Sequence, residues 1–138
     1  MSFILDTCAV SELSRQEPNP GVLAWFTSCP VNELYLSVLT VGDLRYGIDR
    51  LPEGNKKIDL LNWFDAVVKS YRNAILPIDE HIADRWGTER ARLAAKGRSP
   101  AVVDALIACT AAEHAFAIVT RNVADFDDFT VRVVNPWE

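Results

Sequence analysis

Five short apolar runs, "SFIL", "ELYLSV", "AILPI", "FAIVT" and "VRVVN", recur along the chain, and segments with helical spacing stand between most of them. That alternation constrains the fold more than any other feature. Short apolar runs bounded by turn residues read as strands. Strands separated by helices imply right-handed crossovers and a sheet covered on both faces. The expected class is α/β: a three-layer α/β/α domain with a central, mostly parallel sheet of about five strands.

The intervening segments carry helix signals. "DTCAVSEL" offers Asp6 or Thr7 as a cap, and "NPGVLAWFTSCP" places Pro20 at a helix start with Val22, Trp25 and Phe26 on one face. "LTVGDLRYGIDRL" returns to helical spacing through Leu39, Leu44, Ile48 and Leu51, and Pro52 and Gly54 punctuate a turn. "NKKIDLLNWFDAVVKSYR" is amphipathic, with Ile58, Leu61, Phe64, Val68 and Tyr71 expected inside. Asp79 caps and Gly97 ends the next helix, and "SPAVVDALIACTAAEHA" follows with Ser99 as its cap and Pro100 at its first position. The last two strands are joined by the acidic loop "RNVADFDDF".

With 138 residues, 49% of them hydrophobic, and no linker, residues 1–138 are expected to form a single domain. The opening "MSFILDTCAVSEL" meets Asp6 too early for a signal peptide, and no run reaches membrane-spanning length. Three widely spaced cysteines make a disulfide framework improbable, so the cytoplasm is the expected compartment. His81 and His114 have no Cys/His cluster around them, which argues against structural zinc. A net charge of -5 excludes nonspecific coating of nucleic acid but not its handling at one local patch.

One acid is out of place: Asp104 interrupts "SPAVVDALIACTAAEHAFAIVTRN", a stretch otherwise apolar and small. Ligands of open parallel sheets bind at the carboxyl ends of the strands. Asp6 follows the first strand directly, Asp43 lies about one helical turn after the second, and Thr120, Arg121 and Asn122 follow the fourth, with Asp125 a turn further on. Asp104, placed in the second turn of the helix feeding the fourth strand, reaches the same end if that helix runs antiparallel to the strand. Carboxylates so gathered repel one another unless a cation compensates. Mg²⁺ or Mn²⁺ suits an all-oxygen site and the in-line displacement of a phosphodiester.

The stretches "FILDTCAVSEL", "LSVLTVGDLRYGI", "VVDALIACTAAEHAFAIVTRNVADF" and "VRVVNPW" together resemble PIN-domain ribonucleases, in particular the VapC toxins of bacterial toxin–antitoxin pairs. The resemblance covers most of the chain in the family's order. It implies a PIN-like fold and an endoribonuclease with catalytic Asp6, Asp43, Asp104 and Asp125, Asp6 and Asp104 being metal ligands. Thr7, Thr120 and Asn122 would support them. It also implies a homodimer and a small cognate antitoxin carrying a basic side chain toward Asp6 and Asp104, with the helix "NPGVLAWFTS" as one wall of its groove. Family members usually carry Glu where this chain has Asp43 and often Asn where it has Cys8.

Other readings stand beside this one. A haloacid-dehalogenase-like phosphatase also begins with strand-then-Asp but needs a second Asp at position 8, where this chain has Cys. A receiver domain wants a Lys after the last strand, and a dinucleotide site wants glycines in the first turn; neither is present. A PIN fold kept only for binding a partner is the non-enzymatic alternative. Taken alone, Asp127 and Asp128 read as solvated loop, Cys8 and Cys109 as core, and His114 as a partner of its helix dipole. The run "RWGTERARLAAKGR" reads first as a solvated face and second as an RNA-contacting rim through Arg85, Arg92, Lys96 and Arg98. Trp25, Phe26, Trp63, Phe64 and Trp86, on amphipathic helices, are expected to include exposed interface aromatics.

Overall fold

A computed structural model describes residues 1–138, and in it all five apolar runs are strands. They are β1 (Phe3–Leu5), β2 (Leu34–Ser37), β3 (Ile75–Leu76), β4 (Ala117–Val119) and β5 (Val133–Val134). Every pairing is parallel, in the order β3-β2-β1-β4-β5. The chain winds outward from β1 to β3, crosses the sheet, and winds outward again through β4 and β5. The switch in direction falls between β1 and β4, where an open α/β sheet leaves a crevice at its carboxyl edge.

Six helices connect the strands: α1 (Thr7–Glu12), α2 (Pro20–Ser28), α3 (Val38–Asp49), α4 (Asn55–Ser70), α5 (Glu80–Ala94) and α6 (Val102–His114). Period-two alternation sends neighbouring strand residues to opposite faces. Leu5, Leu36 and Val119 pack with Val10 of α1, Leu44 and Ile48 of α3 and Phe64 of α4. Ile4 and Ile118 pack on the other face with Ile107, Ala108 and Ala111 of α6 and with Phe126. Helix α5 lies against α6. The layers are therefore α/β/α, with the sheet buried on both sides.

Most caps follow the residue chemistry. Asp6 accepts from the Thr7 N–H, Asn19 from Gly21 and Val22, Ser37 from Leu39, and Asp79 from Ile82. Helix α6 departs from expectation: it is capped by Ala101 without a side-chain bond and begins at Val102, so neither Ser99 nor Pro100 opens it. Asp104 consequently lies in the first helical turn, not the second. Ala115 closes α6 in the left-handed region (φ 58°), and the Phe116 N–H bonds the Ala111 carbonyl at 2.9 Å. This turn sends β4 back antiparallel to α6, bringing the start of α6 to the carboxyl edge of the sheet.

Two expectations about packing fail. Ile58 is 55% exposed rather than buried; on α4 the inner positions are Leu60, Leu61, Phe64, Val67 and Val68. The large aromatics are not displayed. Phe64 is buried, and Trp25, Phe26 and Trp63 pack against the same cluster, while Trp86 is half-buried. A small core with few strand residues needs that aromatic area for itself.

Candidate active site

Asp6 leaves β1 at the switch point and is 8% exposed. Its Oδ1 accepts the Thr7 N–H at 2.8 Å, and its Oδ2 accepts the hydroxyl of Thr120, at the end of β4, at 2.8 Å. Two strands far apart in sequence are thus joined by one carboxylate at the crevice. Burial pushes the Asp6 carboxyl above its ordinary value, against the bonds from Thr120, Thr7 and Cys8 that pull it down; the Asp43 charge adds to the rise.

Asp43 lies in the second turn of α3, half-buried, and its Oδ2 accepts the Thr7 hydroxyl at 3.2 Å. Thr7 therefore serves both acids, one through its amide and the other through its side chain. Asp104 projects from the first turn of α6 and receives no hydrogen bond from the protein. Its carboxyl is pushed up to about 6 by burial first, then by the charges of Asp6, Asp125 and Asp43. Asp125 sits exposed on the 3₁₀ turn Val123–Phe126 that follows β4. Four acids from four chain segments share one edge closely enough to repel.

Thr120 is fully buried, and its Oγ1 also accepts the Asn122 N–H at 3.0 Å. Asn122 thus acts through its backbone, and its exposed side chain makes no hydrogen bond. Cys8 is not a core residue as its type implied. Its Sγ lies 3.7 Å from Asp6 Oδ2 and 3.4 Å from Thr120 Oγ1, and it accepts the Arg121 N–H at 3.4 Å. Burial raises the Cys8 thiol, so it stays protonated and able to donate toward Asp6. The signal for it was its position, two residues after the strand-ending acid; its side-chain type hid it. Cys109 is buried in α6, as expected.

The basic run is largely neutralised. Arg85 pairs with Glu113 at 2.9 Å, Arg92 with Glu89 and the Asp128 carbonyl, and Arg98 with Asp128. Only Lys96 of the four singled out stays exposed without an ion pair. Trp86, Arg90 and Arg98 line a cavity of ≈ 560 Å³ between α5 and the start of α6 that contains none of the four acids. Asp128, expected to be solvated, is half-buried and holds Arg98. A groove of ≈ 270 Å³ runs from Thr7 and Asp43 between α1, α3 and α4. Its walls are α1, α3 and α4, and helix α2, the expected antitoxin wall, lies outside it.

No three His, Cys, Asp or Glu side chains stand close enough to enclose a metal ion. The donor chemistry nevertheless fits a hard cation: all four acids offer oxygen, and Asp104 and Asp125 keep their lone pairs free of protein donors. Mg²⁺ needs only one or two carboxylates, because it retains waters and takes oxygens from substrate phosphates.

The sequence profile of the PIN domain matches residues 3–130. Toxin FitB of Neisseria gonorrhoeae is 36% identical over 136 residues, 98% of this chain and 98% of that one. VapC ribonuclease Y4jK of Sinorhizobium fredii is 32% identical over 137 residues, 99% of this chain and 98% of the other. The crystal structure of FitAcB from Neisseria gonorrhoeae matches the fold with a TM-score of 0.91 at 35% identity, covering 99% of each chain.

Proposed function

The chain belongs to the PIN domain family, among the VapC-type toxins, and from that premise we propose that it is a metal-dependent endoribonuclease whose active site is the carboxyl edge between β1 and β4. One observation carries the reading: acids from four separate segments lie along that edge within electrostatic reach of one another, and burial with the charges of the other three raises Asp104 to about 6. Folding such a cluster costs stability, which a purely structural edge would have no reason to bear.

Asp6 and Asp104 would hold Mg²⁺ or Mn²⁺, with Asp43 and Asp125 flanking them. Bound there, the cation would lower the pKa of a water and offset charge on the phosphate under attack. The chain's own part is positioning. Thr7 fixes Asp6 Oδ1 with one bond, leaving that oxygen another lone pair, and Thr120 with the Cys8 thiol fixes Oδ2. The Thr7 hydroxyl orients Asp43, whose side chain is one methylene shorter than the family's Glu. Asp104, without a donor of its own, is the acid whose charge depends most on a cation. The test is cleavage of single-stranded RNA by purified protein, expected with Mg²⁺ or Mn²⁺, absent in EDTA, and abolished in Asp104→Asn. A protein that cleaves nothing with either metal would be a PIN fold kept for binding.

We further propose that residues 1–138 act as one PIN domain in the cytoplasm, as a symmetric homodimer silenced by a cognate antitoxin. A relative at 36% identity is named Toxin FitB, and a solved structure of FitAB matches at 34% identity over 99% of this chain; no helix here is long and apolar enough to cross a membrane. The groove through Leu44, Ile48, Leu60 and Trp63 suits an apolar peptide face, and its end at Thr7 and Asp43 suits a basic side chain. Co-expression with a neighbouring small open reading frame should yield a larger complex that no longer cleaves RNA.

A further inference from the structure

We propose that Arg121 is a phosphate anchor for single-stranded RNA at the rim of the acidic edge, held ready by Trp137 and, behind it, Glu12. The inference rests on the RNA reading above and adds to it the residue that receives the substrate backbone.

Arg121 follows Thr120 directly, so its backbone sits one residue from the hydroxyl that bonds Asp6. Its N–H is fixed on Cys8 Sγ at 3.4 Å. Its exposed guanidinium enters no ion pair, although four acids share this edge. It lies instead over the Trp137 indole, Cζ 5.5 Å from the ring centroid. A guanidinium stacked on a ring keeps its donors directed outward, in the planar fork that matches phosphate oxygens. Stacking also keeps Arg121 from folding onto Asp6, where it would occupy the place a metal needs.

The platform is itself built. Trp137 Nε1 donates to Glu12 Oε1 at 3.2 Å, and the Trp137 N–H donates to Asn135 Oδ1 at 3.0 Å. Glu12 is 5% exposed, and its Oε2 accepts the Asn19 N–H at 3.1 Å. The Pro136 carbonyl lies so close to Gly21 that any Cβ there would come within 2.6 Å of it. The final residues are thereby clamped against α1 and α2, and the indole cannot drift from beneath Arg121. Elsewhere Arg85, Arg92 and Arg98 are occupied by protein acceptors. An RNA strand approaching four carboxylates needs a free cation beside them, and Arg121 is placed to be that cation.

The experiment measures binding of an end-labelled single-stranded RNA by the full chain in EDTA, across a salt series, so that no cleavage occurs. Arg121→Ala should weaken binding about tenfold at low salt and lower the salt slope by about 0.7, the value for one phosphate contact on a single strand. Arg121→Lys should keep the slope. Trp137→Leu, checked for folding by its melting curve, should weaken binding about threefold with the slope intact, and Trp137→Phe should restore most of it. With metal present, Arg121→Ala should raise KM more than it lowers kcat. An unchanged slope in Arg121→Ala, or a lysine variant indistinguishable from alanine, overturns the anchor; wild-type affinity in Trp137→Leu overturns the platform. If the wild type never cleaves RNA while Arg121→Ala still loses slope, the nuclease reading fails and the anchor stands. If Asp104→Asn abolishes cleavage while Arg121→Ala binds as wild type, the anchor fails and the nuclease reading stands.

Discussion

Asp6 and Glu12 bracket the short helix α1, and both are nearly inaccessible, at 8% and 5% exposure. At the Glu12 end burial opposes ionisation, yet the N–H of Asn19, the indole of Trp137 and the side chain of Arg15 outweigh it and hold the carboxyl below its ordinary value. At the Asp6 end burial prevails over three hydrogen bonds, and the neighbouring charge is another acid. Further along the same edge Asp104 has no donor at all and rises to about 6. The lesson is that burial alone does not mark a functional carboxylate. An acid whose donors outweigh its burial acts as a structural fastener; an acid raised by burial and by other acids is the one whose ionisation a cation would favour most.

The widest gap between the two ends should appear in turnover. Asp43→Ala is expected to cut metal-dependent RNA cleavage by more than the ~10–100-fold typical of residues behind a metal's ligands, while Asp43→Glu keeps or raises it. An alanine variant with wild-type turnover would place Asp43 outside the site. At the other end the effect should be on stability. Glu12→Ala leaves the Asn19 N–H and the Trp137 Nε1–H without their acceptor, so chemical denaturation should show a loss of about 2–4 kcal/mol. A loss below about 0.5 kcal/mol would mean that these donors find water instead.

Metal sharpens the contrast next. Saturating Mg²⁺ or Mn²⁺ should raise the wild-type Tm, since a ligand held only by the folded state at a hundred times its Kd adds about 2.7 kcal/mol. Asp104→Asn should lose most of that rise, and without metal it should be at least as stable as wild type because one repelling charge is gone. Identical metal responses would dissociate Asp104 from the ion.

The smallest effect, and the most diagnostic, is on pH dependence in EDTA. Asp104 is raised in the folded state, so between about pH 4 and pH 6 the unfolded chain gives up its proton first, and stability falls as pH rises through that window. Glu12 is depressed, so its contribution is present above the ordinary carboxylate value and is lost as pH falls through its lower folded value. Denaturation midpoints from pH 3 to 8 should therefore decline less steeply in Asp104→Asn, with the raised Asp6 supplying what remains, and show a smaller acid-side drop in Glu12→Gln. Matching profiles for the two variants would erase the distinction between fastener and site.

Residue order alone determined the alternation of strands and helices, the parallel sheet, most of the caps, and the placing of Asp6, Asp43, Asp104 and Asp125 near strand ends, because periodicity and capping act within a few residues. Tertiary structure decided what depends on neighbours far along the chain. Glu12 meets Trp137 across 125 residues, Thr120 reaches Asp6 across 114, and Cys8 enters the site through contacts 112 and 113 residues away. The same distance explains the misreadings. Ile58 has the right spacing for the core but faces solvent, because the neighbouring helices meet a different stripe of α4. The run from Arg85 to Arg98 reads first as a solvated face and second as an RNA-contacting rim, and its acidic partners Glu113 and Asp128 lie far along the chain. Pro100 has the right chemistry to open α6, but the helix starts two residues later, and that shift sets Asp104 in its first turn. A local pattern specifies which elements form and which of their faces is apolar; which charges meet, and whether they meet donors or one another, is settled only when the sheet brings its strand ends together.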